Sequence, residues 1–275
     1  MNRRVIEPVV LNAGPDVGRR TPLAALAVEL RARLAAIIAT HADPTTRYLD
    51  YRAIRKAPDF RAFVEMTRGL VAGRPDDLST PEEQIAFWLN LYNALALHAI
   101  IALDIHKGVG EVHEFFLRIQ YDVGGDHFAL ADIEHGVLRQ NRPSRNQPIA
   151  IFAPGDPRLR WRVTRFDPRV HFALTCGTRS CPPFRAYDAT RLDIQLDLAT
   201  RGFINSDVEV DEARGTVMLS RIFHWYEDDF GEVLGFVLRH LDSGPVRDWL
   251  AAHRHEVTAA HRAYDWGLND ASAPP

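Results

Sequence analysis

The chain has 275 residues, of which 46% are hydrophobic and 25% are charged, and its formal net charge at pH 7 is -3. This composition is typical of a globular protein with its own core, and it lacks the basic character of nucleic-acid-binding domains. No run of about 18 apolar residues and no apolar leader occurs, so we expect no membrane partner and a cytoplasmic location. Two cysteines are too few for a disulfide scaffold or a zinc site, so we expect no cofactor.

The first half of the sequence is dominated by helical periodicity. Residues 1–18, which contain several glycines and prolines, are expected to form an N-terminal arm. Apolar residues at helical spacing then predict three helices, at Thr21–Thr40, Asp59–Ala72 and Thr80–Leu103. The third helix opens with a capping box, Thr80-Pro81-Glu82-Glu83, and is apolar nearly all round. It should therefore be central and buried.

The second half of the sequence mixes short helices with hairpins. A hairpin is predicted to turn at Gly124-Gly125, between a short helix near Glu111–Leu117 and another over the segment ADIEHGVLRQ. Residues 141–157 are interpreted as a long loop within one domain. A second hairpin is expected near Ala213–Gly215. Three later helices are predicted, at Ala189–Ile204, Phe230–Leu241 and Pro245–His253.

These elements together predict an α+β fold. We expect one helix-rich domain over residues 19–265, with a buried central helix and small antiparallel β hairpins or a small antiparallel sheet. The last residues, 266–275, are polar and rich in alanine and proline, so they are predicted to be a disordered tail.

Both cysteines lie in the segment HFALTCGTRSCPP, where His171, Cys176 and Cys181 are each five residues apart. Thiol and imidazole groups are well suited to nucleophilic and acid–base chemistry near neutral pH. If the residues before Cys176 form a strand, the odd spacing puts His171 and Cys176 on opposite faces. Three interpretations stay open: two buried apolar cysteines, a thiolate paired with a histidine, or a reversible disulfide.

Asn90 and Asn93 lie one turn apart in the predicted central helix and therefore share a face. Their amides need hydrogen-bond partners in such an apolar setting. They either hold loop backbone, such as the cysteine loop, or orient a catalytic imidazole or stabilise an oxyanion. His98, in the same helix, is expected to be a core histidine.

Two other segments carry titratable residues. In ADIEHGVLRQ, Glu134 and His135 are adjacent, and we expect an acidic residue of this segment to form a structural ion pair with Arg139 or another basic residue. In SRIFHWYEDDFG, the aromatic residues predict a core plug beneath the cysteine loop. The alternative is that a carboxylate of Asp228-Asp229 orients His224 for catalysis.

Taken in order, the motifs FWLNLYNALALH, DIEHGVLR, VHFALTCGTRSCPP and SRIFHWYEDDFG resemble the DUF547 domain over roughly residues 75–235. The resemblance implies a domain of this size but says little about its chemistry, because the family's function is unassigned. Plant members join this domain to a leucine zipper, but no heptad run occurs here, so a scaffold role does not carry over. Family members often carry a different residue in place of His224, which weighs against a catalytic role for it.

The leading hypothesis is a cysteine-dependent hydrolase or acyltransferase. Cys176 is the expected nucleophile, since Gly177 lets backbone amides approach an oxyanion, and His171 is the expected base, with His135 or His127 as substitutes. The candidate catalytic residues are Cys176, His171, Asn90, Asn93, His135 and Glu134. The candidate substrate-binding residues are Trp88, Tyr92, Arg139, Cys181, Arg185 and Trp225. The substrate would be a small molecule or peptide. The alternatives are a non-catalytic interaction module with a buried polar network and a thiol redox-sensing domain.

Overall fold

A computed structural model of the protein describes residues 7–14, 21–145 and 147–272. It confirms the predicted helix-rich α+β architecture. The helices are α1 (Leu23–His41), α2 (Tyr51–Lys56), α3 (Pro58–Thr67), α4 (Pro81–Ala102), α5 (Phe115–Arg118), α6 (Leu192–Asp207), α7 (Arg221–Trp225), α8 (Glu227–Phe230), α9 (Val233–His240) and α10 (Pro245–His253). The strands are β1 (Val9–Val10), β2 (Ile119–Val123), β3 (Asp126–Ala129), β4 (Glu209–Asp211), β5 (Thr216–Leu219) and β6 (Thr258–His261).

Helix α4 is the centre of the fold, as its sequence predicts. Its capping box forms, because the Thr80 hydroxyl accepts the Glu83 backbone N–H and the Glu83 carboxylate accepts the Thr80 N–H. This helix is long and apolar enough to cross a membrane, but 94% of its most apolar window is buried inside the protein. The apolar surface of this helix is therefore buried in the core of the protein.

The other early helices differ from their predicted bounds near their ends. Helix α1 begins at Leu23 and not at Thr21, with Pro22 at its N-cap and no side chain capping that end. Helix α3 begins at Pro58, one residue before the predicted start at Asp59, and continues as a 3-10 turn, Arg68–Ala72. Helix α2 was not predicted, since its six residues span too few turns for periodicity to register.

Each of the two sheets contains a predicted hairpin and one further strand. The hairpin β2–β3 turns at Gly124-Gly125, and the hairpin β4–β5 turns near Gly215. The antiparallel hairpins form as predicted, and each sheet also has a parallel strand that was not predicted, because β1 pairs parallel to β2 and β6 pairs parallel to β5. These added strands come from opposite parts of the chain, and a parallel partner so distant in sequence leaves no local turn signal.

The chain ends are more ordered than their composition suggests. Val9–Val10, inside the predicted arm, is strand β1, while residues 1–6 and 15–18 of that arm lie outside the described residues. The predicted tail is not disordered over its first part, because Leu268 and Asn269 are buried and Leu268 bridges to Thr178. Residues 273–275 lie outside the described residues.

Two apolar cores flank the cysteine loop. The larger is built around α4, and the smaller is built from the aromatic and aliphatic residues of α6 to α9 together with Phe172. The predicted aromatic plug belongs to this smaller core, where Phe223 and Phe230 contact Phe172. The candidate site residue His171 lies beside the smaller core, because it directly precedes Phe172.

Candidate functional site

The cysteine loop follows a 3-10 turn, Pro168–Phe172, and not a strand. The expectation that His171 and Cys176 face opposite sides of a strand therefore does not apply. The loop itself turns at Gly177, whose φ is 79° and whose added Cβ would lie 2.4 Å from Ile100 Cδ1. Glycine is required there for both conformation and space.

Asn90 and Asn93 hold this loop against α4. Asn90 exchanges two hydrogen bonds of 2.8 Å with the backbone of Tyr187. Asn93 accepts the N–H of Thr175 at 3.0 Å and donates to the carbonyls of Ala173 and Arg185. Both side chains are thus hydrogen-bonded to backbone, which matches the first of the two expectations for them.

Residues 264–269, here called the C-terminal segment, hold the loop on the side away from the Asn90 and Asn93 contacts. The Arg179 N–H donates to the Gly267 carbonyl at 2.8 Å, and the Asn269 N–H donates to the Gly177 carbonyl at 2.9 Å. This docking brings Tyr264 against the two thiols. Tyr264 was not predicted as a site residue, since no local pattern links RAYDW to a loop more than 80 residues earlier.

The two thiols touch each other, and Cys181 is the better hydrogen-bond acceptor. The sulfurs are 3.0 Å apart, and both cysteines are free. Cys181 Sγ also accepts the Cys176 N–H at 3.3 Å and lies 3.0 Å from the Tyr264 hydroxyl. Cys176 is buried, with 4% of its surface exposed, whereas Cys181 is partly exposed.

Because of this asymmetry, the two thiols differ in pKa. Burial opposes a charge on Cys181, but hydrogen bonds from Cys176, Thr178 and Tyr264 outweigh it and lower the pKa of Cys181 to about 6. The hydrogen bond to Cys181 together with burial raises the pKa of the Cys176 thiol. Burial raises the pKa of Tyr264, so its hydroxyl keeps the proton that it donates. The geometry therefore favours a Cys181 thiolate beside a Cys176 thiol.

No hydrogen bond joins a histidine nitrogen to either sulfur within the described residues. His171 is instead paired with Asp229, at 2.8 Å between Nε2 and Oδ2, and its ring stacks on Tyr226 with centroids 4.0 Å apart. The side chains of His171 and Asp229 are 1% and 3% exposed. The expected base for Cys176 thus has a carboxylate partner but no hydrogen bond to a thiol.

Asp229 also joins a second buried group. Arg139, which is 0% exposed, donates to both oxygens of Asp229 and lies 3.1 Å from His135 Nδ1. These two charge-assisted bonds and His171 lower the pKa of Asp229 to about 2, although burial opposes the shift. Arg139 is therefore a structural cation and not a substrate-binding residue. The expected ion pair of the DIEHGVLR segment forms between Asp132 and another basic residue, Arg158, at 3.1 Å, whereas Arg139 pairs with Asp229 from a different segment.

Glu134 faces the same region and accepts from two tyrosines. The Tyr226 hydroxyl hydrogen-bonds to Oε1 of Glu134, and the Tyr92 hydroxyl lies 3.4 Å from Oε2. Burial raises the pKa values of both tyrosines, and the Glu134 charge adds to that effect. Both hydroxyls thus remain neutral donors near neutral pH.

A cleft of about 550 Å³ gathers most of the predicted site residues. Its lining includes Tyr92, Glu134, His135, His171, Cys176, Cys181 and Trp225, together with Tyr226, Tyr264 and Trp266, which were not predicted as site residues. Among the described residues, no group of three or more His, Cys, Asp or Glu side chains is arranged to hold a metal ion. The cleft therefore combines two thiols, an aspartate-paired imidazole and an aromatic wall.

Several predicted residues lie elsewhere. Trp88 is 1% exposed and packs on Phe128 and Trp161, so it belongs to the core and does not bind substrate. Arg185 lines a different cleft. His127 is half exposed on β3 beside Asp122 and does not line the thiol cleft, which removes it as a substitute base.

The remaining histidines have other surroundings. His98 is a core residue as expected, since its Nδ1 lies 2.8 Å from the Tyr121 hydroxyl and burial lowers its pKa to about 4. His224 packs on His261 with ring centroids 5.0 Å apart. Of the two aspartates proposed for His224, Asp229 is hydrogen-bonded to His171, and neither forms an ion pair with His224 in the described part of the chain.

Comparison with known proteins gives one finding. Residues 75–204 match the family model described as "Protein of unknown function, DUF547". Neither a curated protein nor a solved structure matches the chain. The matched segment contains α4, the DIEHGVLR turn and the whole cysteine loop, whereas Asp229 and Tyr264 lie beyond it. Over this segment the chain is similar to the DUF547 family.

Proposed function

We propose that this protein is a thiol enzyme that exchanges disulfides, with Cys181 as the attacking thiolate and Cys176 as the resolving thiol. One observation carries the proposal: Cys181 Sγ accepts hydrogen bonds from Cys176 and Tyr264 and lies 3.0 Å from the second sulfur. A thiolate with a pKa near neutral pH combines a useful charged fraction with nucleophilicity. A disulfide needs sulfurs about 2.05 Å apart, so closure requires a movement of only about 1 Å.

The reaction balances with a disulfide substrate, R–S–S–R. The Cys181 thiolate attacks one substrate sulfur, a bond forms between Cys181 and that sulfur, and the other half leaves as a thiolate. Cys176 then loses its proton to the departing thiolate and attacks Cys181 Sγ. The products are the Cys176–Cys181 disulfide, one thiol and one thiolate, which takes its proton from water. An external dithiol then reduces the internal disulfide and restores the protein.

Acyl transfer, the leading hypothesis from the sequence, is the second candidate. Its support is the His171–Asp229 pair in the same cleft, which could protonate a leaving group. The loop backbone favours it less. The Cys181 N–H donates to the Thr178 carbonyl, Gly177 N–H donates to Thr175, and Pro182 has no N–H. These amides, the nearest candidates for an oxyanion hole, are thus occupied or missing.

The test uses a neutral disulfide, 2-hydroxyethyl disulfide, with mass spectrometry of the intact protein. Wild type is expected to release both halves of the probe as thiols and to lose the mass of two hydrogen atoms as the internal disulfide forms. Cys176→Ser should stop at a stable mixed disulfide on Cys181. Cys181→Ser should react at least tenfold more slowly than wild type, because the remaining thiol is buried with a raised pKa.

Each contrary outcome identifies a different account. A mixed disulfide on Cys176 and none on Cys181 would reverse the assignment of the nucleophile. Hydrolysis of a thioester substrate by wild type that is lost in Cys176→Ser, without any disulfide exchange, would favour acyl transfer. If neither cysteine is modified in the folded protein, the result would favour the alternative of a non-catalytic interaction module.

A further inference from the structure

A second cleft shares Cys181 and Tyr264 with the first. It has a volume of about 390 Å³, and both residues line the two clefts, so the reactive sulfur lies at their junction. The second cleft differs in chemistry, because five arginines line it: Arg47, Arg179, Arg185, Arg221 and Arg262. Among the described residues that line it, only Asp207 is acidic.

Three of these arginines have no carboxylate partner within the described residues. Arg262 pairs with Asp207 and Glu209, and Arg179 pairs with Asp265 at 3.7 Å. The others are Arg47, Arg185 and Arg221, whose guanidinium groups form no ion pair in the described part of the chain. The surface arginines at 158, 160, 165 and 169 are, in contrast, all neutralised by nearby aspartates or glutamates. The second cleft therefore carries excess positive charge on a chain of net charge -3.

Arg185 is held in place relative to the reactive sulfur. Its carbonyl accepts the Asn93 amide at 3.1 Å, and the same Asn93 holds Thr175 just before the first cysteine. The backbone of Arg185 and the loop that carries the thiols are thus anchored to one buried side chain. Such anchoring reduces the cost of ordering the backbone when a ligand touches both.

We infer that the arginine-lined cleft binds a carboxylate of a low-molecular-weight disulfide while the sulfur of that disulfide reaches Cys181. The inference rests on the proposed function and names the class of its substrate. Guanidinium groups bind carboxylates through paired hydrogen bonds, and unpaired arginines make such a site without displacing a protein carboxylate. The aromatic cleft on the other side of Cys181 receives the leaving half of the substrate.

Two matched probes test the inference: 2-hydroxyethyl disulfide, which is neutral, and 3,3′-dithiodipropionate, which carries a carboxylate at each end. Both are followed as mixed-disulfide formation on Cys181 in the Cys176→Ser protein. The readout is the rate constant for the dicarboxylate divided by the rate constant for the neutral probe. This ratio cancels any change in the reactivity of the Cys181 thiolate itself. A protein of net negative charge without a binding site should give a ratio below one.

The expected ratio is about tenfold in favour of the dicarboxylate, the effect of one good charge-assisted contact. Adding Arg185→Gln and Arg221→Gln should bring the ratio to one or below, and each single change should give an intermediate value. Arg214→Gln is the control, since it removes the same charge from an exposed turn outside both clefts and should leave the ratio unchanged. Millimolar propionate should compete with the dicarboxylate more strongly than equal inorganic phosphate.

The outcomes separate the two proposals. A neutral probe that reacts at Cys181 with a ratio near or below one overturns the carboxylate site and leaves the proposed exchange reaction standing. A ratio that is high but unaffected by the double arginine change overturns the carboxylate site in the same way. Stronger competition by phosphate than by propionate would indicate a phosphate site in place of a carboxylate site, and this would contradict the inference. Failure of both probes to modify Cys181 overturns the function and the inference together.

Discussion

The Tyr264 hydroxyl lies within hydrogen-bond distance of Cys181 Sγ, at 3.0 Å, although the two residues are 83 positions apart in the sequence. Because burial raises the pKa of Tyr264, the hydroxyl remains a donor whenever the thiol is ionised. A donor of this kind stabilises the thiolate relative to the thiol. The C-terminal segment thereby contributes directly to the chemistry of a loop that it also holds in place.

Tyr264→Phe is expected to raise the apparent pKa of Cys181 by about one unit. A hydrogen bond to a charged group contributes about 1.5 kcal/mol, and one pKa unit corresponds to about 1.4 kcal/mol. Titration of thiolate ultraviolet absorbance in a Cys176→Ser background measures this shift. Tyr48→Phe is the matched control, because Tyr48 lines the arginine cleft but has no hydrogen bond to either sulfur among the described residues. Equal shifts in the two variants would exclude a direct role for the Tyr264 hydroxyl.

Asp229→Asn should lower the free energy of unfolding by about 3–5 kcal/mol, because it leaves the fully buried Arg139 cation without its counter-charge. Chemical denaturation at pH 7 measures this loss. Asp228→Asn changes the neighbouring exposed carboxylate of the same short helix and should have an effect below about 0.5 kcal/mol. Similar effects of the two changes would contradict the buried network of Arg139, Asp229 and His171.

Asn93→Ala should destabilise the protein by about 3 kcal/mol. It removes a side chain whose amide serves the Thr175 N–H and the carbonyls of Ala173 and Arg185, and each buried group left unpaired costs about 1–3 kcal/mol. Thermal and urea unfolding report the change. A variant of wild-type stability that has lost all thiol reactivity would instead assign Asn93 to the chemistry.

His98 predicts a pH dependence of stability. Burial lowers its pKa in the folded protein to about 4, below the ordinary value of 6.5, so the unfolded chain binds the proton more tightly. The stabilising contribution of neutral His98 is therefore fully present above pH 6.5 and is lost as the pH falls toward 4, by on the order of 3 kcal/mol.

The comparison of wild type with His98→Gln isolates this effect, because glutamine can hydrogen-bond to Tyr121 but does not titrate. The wild-type free energy of unfolding should fall more steeply than that of the variant between pH 6.5 and 4. Parallel curves would show that His98 is not held neutral by the core.

The sequence predicts the parts of the fold that rest on local signals. The capping box at Thr80 and the Gly124-Gly125 turn are short motifs with their own physical cause, and both form as predicted. Strands β1 and β6 carry no such signal, since parallel pairing joins segments far apart in sequence.

The same distinction holds in the site. The cysteine loop and its Asn90 and Asn93 anchors could be identified because loop and helix each stand out in composition. The pairing of His171 with Asp229 spans 58 residues, and in the sequence a nearer histidine, His224, competes for that carboxylate. The choice between the two thiols depends on Tyr264 and on burial, which only the folded chain reveals.

The central claim is that Cys181 is the thiolate of this pair, and site-resolved alkylation tests it most directly. Native protein is treated with iodoacetamide between pH 5 and 9, and each cysteine is quantified by peptide mapping. Cys181 should be labelled first, with a rate that rises through an apparent pKa of about 6, while Cys176 stays unlabelled. Preferential labelling of Cys176, or a Cys181 rate that rises only near the ordinary thiol pKa of about 8.5, would contradict the claim.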